Sequence, residues 1–317
     1  MTLSVLTTVF DRERSIARAI RSILAQTCGD FEYVIIDDGS SDGSVAEIEA
    51  LEDPRIRLHR IAHGGRARAL NEGLRHCRGT YIAIQDSDDE AHPERLALQL
   101  CFLEGHPDVG MVGCHLLVRD ETTGRQRSIA FPEHHDDILY LMPVTSAVPF
   151  NSSLIRREVF DRVGTFRDKL TAAVDYDFQM RALRTCRMHN LPRTLNTVQR
   201  SCDSMGVVLA NTQNAVTLEA SRRFLDAEEV DPVHFSSARD ILFARARAEY
   251  YYGNARTARG LLLRLLRSAP LHMPYLRYLL PTLAGNSVLA FLRKHGVLSR
   301  LSAPLSRAGL LRRHLLP

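Results

Sequence analysis

Apolar runs and amphipathic stretches alternate through the first hundred residues. Residues 3–10 form a short, β-rich apolar run that stops at Asp11, and Ile16, Ala19, Ile20, Ile23 and Leu24 then recur at helical spacing. A second apolar run, 33–36, ends in the polar turn Asp37-Asp38-Gly39-Ser40-Ser41-Asp42-Gly43. Residues 44–51 read as a short helix and 56–61 as a third strand; after His63-Gly64-Gly65, the stretch 67–74 is helical in pattern. Residues 81–84 make a fourth strand that ends at Gln85-Asp86-Ser87-Asp88-Asp89. Pro93 opens a helix to residue 103, because its missing N–H costs nothing in a first turn.

This β-α-β-α order predicts a parallel sheet with right-handed crossovers. The polar turns all follow strand ends, where ligands of open α/β sheets bind. Asp11, Asp38, His63 and the acids of 86–89 are therefore expected on one rim. Further along, 109–118 reads as a strand and 152–155 as a weaker one, while 157–163 and 175–183 read as helices. From residue 207 the pattern is helical only, including 237–252 and 255–267. There Ala246, Tyr250, Gly253-Asn254, Ala258 and Leu262 have the spacing of one helical hairpin.

Composition adds bounds. With 317 residues, 45% apolar and 25% charged, the chain has room for one large domain and a smaller appendage, and it is not globally disordered. No apolar run approaches the roughly 20 residues of a spanning helix. Residues 1–11 lack the basic and apolar regions of a signal peptide, so the expected location is the cytoplasm. The six cysteines are scattered, with no Cys-x-x-Cys pair and no Cys/His cluster at zinc spacing, and read as thiols filling core space.

Charge is uneven. Residues 239–317 hold 14 Lys and Arg against two acids, Asp240 and Glu249, whereas the preceding part is net acidic. Two units are expected, 1–205 and 206–317. The basic part reads either as a solvated helical face whose Arg stems cover apolar surface, or as a peripheral contact with anionic lipid on the inner face of the cell membrane. The Leu/Arg stretches 261–266, 289–292 and 310–316 suit such an interfacial segment. No nucleic-acid module accompanies the charge, so nucleic acid is not an expected partner.

Three motifs carry candidate chemistry. Asp86-Ser87-Asp88 places two carboxylates on one turn, and Asp89 adds a third; so many acids repel one another unless a cation neutralises them. Mg²⁺ or Mn²⁺, hard ions that share their shell with a diphosphate, are the natural choice, with an acidic helix cap as the plain alternative. Asp37-Asp38-Gly39-Ser40 is either ordinary turn chemistry or a carboxylate facing a base or ribose. Gly64-Gly65 lacks the dinucleotide fingerprint, and Phe10-Asp11-Arg12-Glu13-Arg14 offers no Gly/Lys-rich phosphate loop of a nucleotidyltransferase.

Read together and in order, these segments resemble a family 2 glycosyltransferase of the GT-A fold, bacterial surface-glycan type. The matching stretches are 4–11 (SVLTTVFD), 22–27 (SILAQT), 31–42 (FEYVIIDDGSSD), 79–89 (GTYIAIQDSDD) and 93–96 (PERL). The resemblance implies a mixed, mostly parallel sheet flanked by helices, here followed by an all-helical C-terminal region. It implies an inverting transfer of sugar from a nucleotide donor, UDP-linked, to a glycan or lipid-linked acceptor, assisted by Mn²⁺ or Mg²⁺. On this resemblance Thr8, Phe10 and Asp11 line the nucleotide pocket, Asp38 accepts from the uracil ring, Asp86 contacts ribose and metal shell, and Asp88 ligates the metal. Asp175, in Ala173-Val174-Asp175-Tyr176-Asp177-Phe178, falls at the catalytic base, with Asp177 as the competing residue.

Three positions depart from the family pattern. Val174 stands where an acid usually precedes the base. His63 and Leu70-Asn71 replace an Asn and an Arg-Asn pair, with Arg68 as the nearby substitute in the nucleotide site. Cys202 stands where a His often meets the diphosphate. The alternative these departures raise is a catalytically inactive nucleotide-binding module on the same fold. The segment Phe150-Asn151-Ser152-Ser153 lies between the donor and base segments and is either an acceptor contact or a plain strand edge.

Overall fold

The computed structural model describes residues 2–200, 210–226, 238–269 and 273–283. The position of Cys202 and the stretches 289–292 and 310–316 lie outside the described residues. The chain divides into two compact units, Met1–His135 with Val148–Val208, and Asp136–Ala147 with Leu209–Pro317.

The first unit is built on a nine-stranded mixed sheet. Its first half follows the alternation of the sequence. Strand β1 (Leu3–Val9) lies between β2 (Phe31–Asp37) and β4 (Tyr81–Ile84), with β3 (Ile56–Arg60) outside β2, all parallel. Helices α1 (Ile16–Leu24), α2 (Ser44–Glu49) and α3 (Arg66–His76) make the crossovers. Strands buried on both faces need near-continuous apolar runs, and β2 is buried at all seven positions. Ile16, Ile20 and Ile23 of α1 pack onto Leu3, Val5, Tyr33 and Ile35 in the main core.

The second half of the sheet is less regular. β8 (Leu154–Arg156) runs antiparallel to β4 and to β6 (Val109–Asp120). β6 in turn pairs in parallel with β9 (Arg187–Arg200), with register shifts near Cys114 and His115. β5 (Glu90–Ala91) closes the edge against β9, and β7 (Gln126–Ile129) pairs β6. Helix α4 (Arg95–Gly105) starts two residues after Pro93, whose carbonyl instead accepts from the Thr27 N–H at 2.9 Å. Helix α5 (His135–Leu141) passes at Asp136 into the second unit, and α6 (Arg157–Val163) and α7 (Val174–Ala182) follow in the first. The sheet is thus mixed but mostly parallel, with helices packed on it, as the resemblance implied.

The second unit is helical among its described residues. It contains α5 from Asp136 on, together with α8 (Ala210–Asp226), α9 (Ala238–Tyr252), α10 (Ala255–Ser268) and α11 (Met273–Thr282). Its core takes Ala246, Tyr250, Ala258 and Leu262, the positions of the expected hairpin, together with Phe243, Tyr275 and Tyr278. Asn254 ends the turn and caps α10, its side chain accepting from the Arg256 N–H at 2.8 Å. The buried Arg247 lies over the Tyr140 ring at 4.0 Å and donates to the Tyr140 carbonyl at 2.7 Å. Among the described residues, no helix is long and apolar enough to cross a membrane.

Candidate active site

The chain order reverses beside β1: β2 and β3 lie on one side and β4 on the other. The carboxyl ends of these strands form the crevice in which an open α/β sheet binds ligands. Each of the four turns there presents chemistry.

After β1, Phe10 is 41% exposed, a large side chain left without core. Its ring lies 4.2 Å from that of His63, tilted by 30°. Thr8 is half-buried near the end of β1. Asp11 adopts φ 49°, and its carboxylate accepts from the Ser41 N–H at 2.8 Å. Asp11 thereby ties the first turn to the second.

After β2, Asp38 is buried, and its two oxygens accept from the Gly64 and Gly65 N–H groups, each at 2.8 Å. His63 Nδ1 lies 3.0 Å from both the Asp38 carbonyl and Asp38 Oδ2, and one ring N–H serves one of them. A carboxylate in a turn is ordinary chemistry, but here it draws the loop after β3 against the loop after β2. Gly65 at φ +87° lets that loop fold into the start of α3.

The first residue of α3 is Arg66, which the sequence reading passed over. Its Nη2 donates to Asp86 Oδ1 at 2.7 Å, with 29% and 27% of the two side chains exposed. Burial pulls the guanidinium down, but the charges of Asp86, Asp175 and Asp88 outweigh it and hold Arg66 more firmly protonated than usual. Arg68 is exposed and lies against Gly64: a methyl built on that glycine would meet Arg68 Cδ at 2.4 Å. A helical residue's side chain leans back over the turn before it, so the first residue of α3 reaches the strand ends, while the third is rotated away. That geometry was the signal available in the sequence.

After β4, the three acids take different roles. Asp86 holds Arg66. Asp88 is half-buried, and burial first and Asp86 second push its carboxyl up; Arg12 Nε, 3.9 Å away, pulls the other way. Asp89 is turned inward, accepting from Asn151 and from Asn196 at 3.3 Å, and burial with its two acidic neighbours pushes its carboxyl far up. One amide N–H of Asn151 thus goes to Asp89. Asn71 bonds the Phe166 N–H and carbonyl, each at 2.9 Å, and so fixes the segment leading toward α7.

At the start of α7, Ala173 is left-handed at φ 50°, the buried Val174 follows, and Asp175 is half-buried with the Tyr176 N–H donating to it at 2.9 Å. Asp177 is buried between Arg167, at 2.6 Å, and Arg181, at 3.0 Å.

Asp86 and Asp88 are the residues that could hold a metal. Among the described residues no group of three His, Cys, Asp or Glu side chains is placed to do so. Magnesium-like ions are typically bound by one or two carboxylates plus substrate phosphates and water. The donor set therefore fits an ion that arrives with a diphosphate and does not fit an all-protein cage.

An open sheet with an acidic crevice at its switch point, followed by a helical unit, defines an α/β protein whose ligand site lies at the carboxyl ends of its strands. The model of glycosyl transferase family 2 matches residues 4–164. The chain belongs to glycosyl transferase family 2. The putative glycosyltransferase EpsE of Bacillus subtilis (strain 168) is 39% identical over 123 residues, 38% of this chain and 44% of that protein. The amylovoran biosynthesis glycosyltransferase AmsE of Erwinia amylovora is 27% identical over 208 residues, 63% of this chain and 77% of that protein. The chain spans only 25%, 44%, 17% and 32% of four curated relatives it matches.

Among solved structures, S. aureus TarS 1-349 in complex with UDP-GlcNAc aligns with TM-score 0.61 at 16% identity, covering 96% of this chain and 90% of that one. The mannosyltransferase PcManGT of Pyrobaculum calidifontis, in complex with GDP-Man and Mn²⁺, aligns with TM-score 0.57 at 18% identity, covering 92% and 86%. At these identities the likeness establishes the fold.

Proposed function

We propose that this chain is an inverting glycosyltransferase that moves a sugar from a UDP-linked donor to a glycan or lipid-linked acceptor, with Mn²⁺ or Mg²⁺ assistance. The observation that carries the reading is Arg66: one guanidinium feels Asp86, Asp88 and Asp175 at once. That shared influence supports assigning the donor-side carboxylates and the base candidate to one site, as a transfer between two substrates requires. The names of TarS and PcManGT, with their nucleotide sugars and Mn²⁺, and of AmsE, with its polysaccharide, support the donor, metal and acceptor classes.

In this reading Phe10 and His63 offer ring faces to the base, and Thr8, Asp11 and Asp38 shape its pocket. The acceptor oxygen attacks the anomeric carbon while Asp175 takes its proton, a contribution of roughly 10²–10⁴-fold. The bond from that carbon to the diphosphate oxygen breaks, and the electron pair leaves on the diphosphate, near the cationic Arg12 and Arg66. A divalent ion held by Asp86 and Asp88 would supply Lewis-acid stabilisation of that departing charge. On the second unit, exposed Leu263 beside Arg264 and Arg267 favours contact with anionic lipid.

The test is calorimetric titration of UDP with and without Mn²⁺, followed by donor turnover with a panel of UDP-sugars. Tighter UDP binding with Mn²⁺, lost in Asp88→Ala, supports the reading. UDP binding indifferent to Mn²⁺ removes the metal, and binding without any transfer favours the inactive binding module. Flotation with phosphatidylglycerol vesicles tests the lipid contact: protein left at the bottom of the gradient removes it.

A further inference from the structure

Two cations already sit on the carboxylates that a metal would use. Arg66 is hydrogen-bonded to Asp86 at 2.7 Å, whereas Arg12 stands 3.9 Å from Asp88, beyond hydrogen-bond range. A guanidinium and a dication on the same carboxylate repel each other, so the Arg66 contact to Asp86 Oδ1 weakens that carboxylate as a metal ligand. A diphosphate changes the balance, because guanidinium pairs with phosphate oxygens through two parallel N–H bonds.

The backbone around Arg66 is suited to such a change of partner. Gly64 and Gly65 are pinned by Asp38, so the Cα of Arg66 is fixed at the mouth of the crevice while its long side chain can turn. Arg75, near the other end of the same helix, is exposed and pairs only locally with Glu72.

We propose that Arg66 is the resident counter-cation of the donor site, competing with the divalent ion for Asp86 and released from it by the donor's diphosphate. Metal and nucleotide then bind cooperatively: each is weak alone, because only the diphosphate draws Arg66 away and only the dication restores neutrality at Asp86. Such coupling is reciprocal. Arg66 is a positioning and binding residue in this scheme, and it takes no proton. The proposal rests on the metal-assisted reading above and adds a residue that the sequence motifs do not single out.

The experiment uses the full chain and measures Mn²⁺ binding by electron paramagnetic resonance, without and with UDP, for wild type, Arg66→Gln, Arg66→Lys and Arg75→Gln. Arg66→Gln is expected to bind Mn²⁺ alone on the order of tenfold tighter than wild type, and to lose a similar factor from the Mn²⁺–UDP coupling. Arg66→Lys, which keeps the charge without the fork, should fall between, and Arg75→Gln should match wild type. Thermal melts confirm that the variants are folded. If Arg66→Gln leaves both the Mn²⁺-alone affinity and the coupling at wild-type values while wild-type UDP binding still needs Mn²⁺, the counter-cation role is overturned and the metal-assisted reading stands. Wild-type UDP binding that ignores Mn²⁺ overturns both.

Discussion

Arg167 donates to Asp177 at 2.6 Å, and that ion pair, closed on the other side by Arg181 at 3.0 Å, separates the two acids of α7 by role. Asp177 is buried and neutralised, which suits a strut holding the loop before α7. Asp175, two residues earlier, is half-buried and shares the electrostatic field of Arg66 with the donor-side acids. The candidate base is therefore Asp175. Asp175→Asn is expected to lower turnover by about 10²–10⁴-fold with an unchanged melting temperature. Asp177→Asn should instead cost about 2 kcal/mol of stability, less than a fully buried pair because the Arg167 side chain is 42% exposed. Turnover assays and chemical denaturation on both variants separate the roles, and reversed phenotypes would reassign them.

Asp38 predicts a coupled defect. Its carboxylate accepts from the Gly64 and Gly65 N–H groups, and each charge-assisted bond is worth about 1.5–3 kcal/mol. Asp38→Ala should lower stability by about 2 kcal/mol or more and weaken UDP binding together, because Arg66 begins the helix that this loop leads into. Denaturation curves and a UDP titration on the same sample check it. A destabilised variant with wild-type UDP affinity would confine Asp38 to the turn.

Much of the first unit was legible in the sequence because β1, β2 and β4 are buried on both faces and read as uninterrupted apolar runs closed by polar turns. The hairpin of the second unit was legible for the same reason, through Ala246, Tyr250, Ala258 and Leu262. What escaped was set by tertiary pairing. β9, with sequence RMHNLPRTLNTVQR, carries three arginines and a proline and alternates poorly, yet it runs the length of β6 through a bulged register. β5 has two residues inside an acidic stretch, and only β9 makes it a strand. The site showed the same division. The acids of the rim were visible as strand-end turns, but Arg66 looked like any helix arginine, and Asp89 resembled its neighbours until Asn151 and Asn196 were seen to bury it.

Gly79 leaves no room for a side chain. A methyl there would stand 2.5 Å from the Ser4 backbone nitrogen and 2.7 Å from the Leu3 carbonyl carbon, and backbone cannot move aside cheaply. The Gly79 N–H also donates to Ser4 Oγ at 2.8 Å, beside the buried Glu32 that accepts from the same hydroxyl. Gly79→Ala should destabilise by about 1–3 kcal/mol, as overpacking does, with little change in UDP affinity for the folded fraction. Equilibrium denaturation measures it, and an unchanged midpoint would mean that β1 and the turn before β4 can separate.

Acid sensitivity should arise far from the rim, at His189. Its ring stacks on Phe102 at 4.4 Å, Phe102 stacks on His106 at 4.0 Å, and His134 meets His189 edge-on at 5.5 Å. Burial first, then the charges of His134 and His106, pushes His189 down to about 4 from an ordinary value of 6.5. The folded protein therefore keeps this ring neutral where the unfolded chain would protonate it. Between these two values the unfolded state binds more protons, so stability rises with pH; it is fully present above 6.5 and is lost as pH falls toward 4. Because the ring is only half-buried, the loss is on the order of 1 kcal/mol after solvent screening. His189→Gln removes the proton site while keeping a polar side chain, so its stability should change less than that of wild type between pH 7 and pH 4.5. Parallel pH dependences of wild type and His189→Gln would show that the ring titrates normally in the fold.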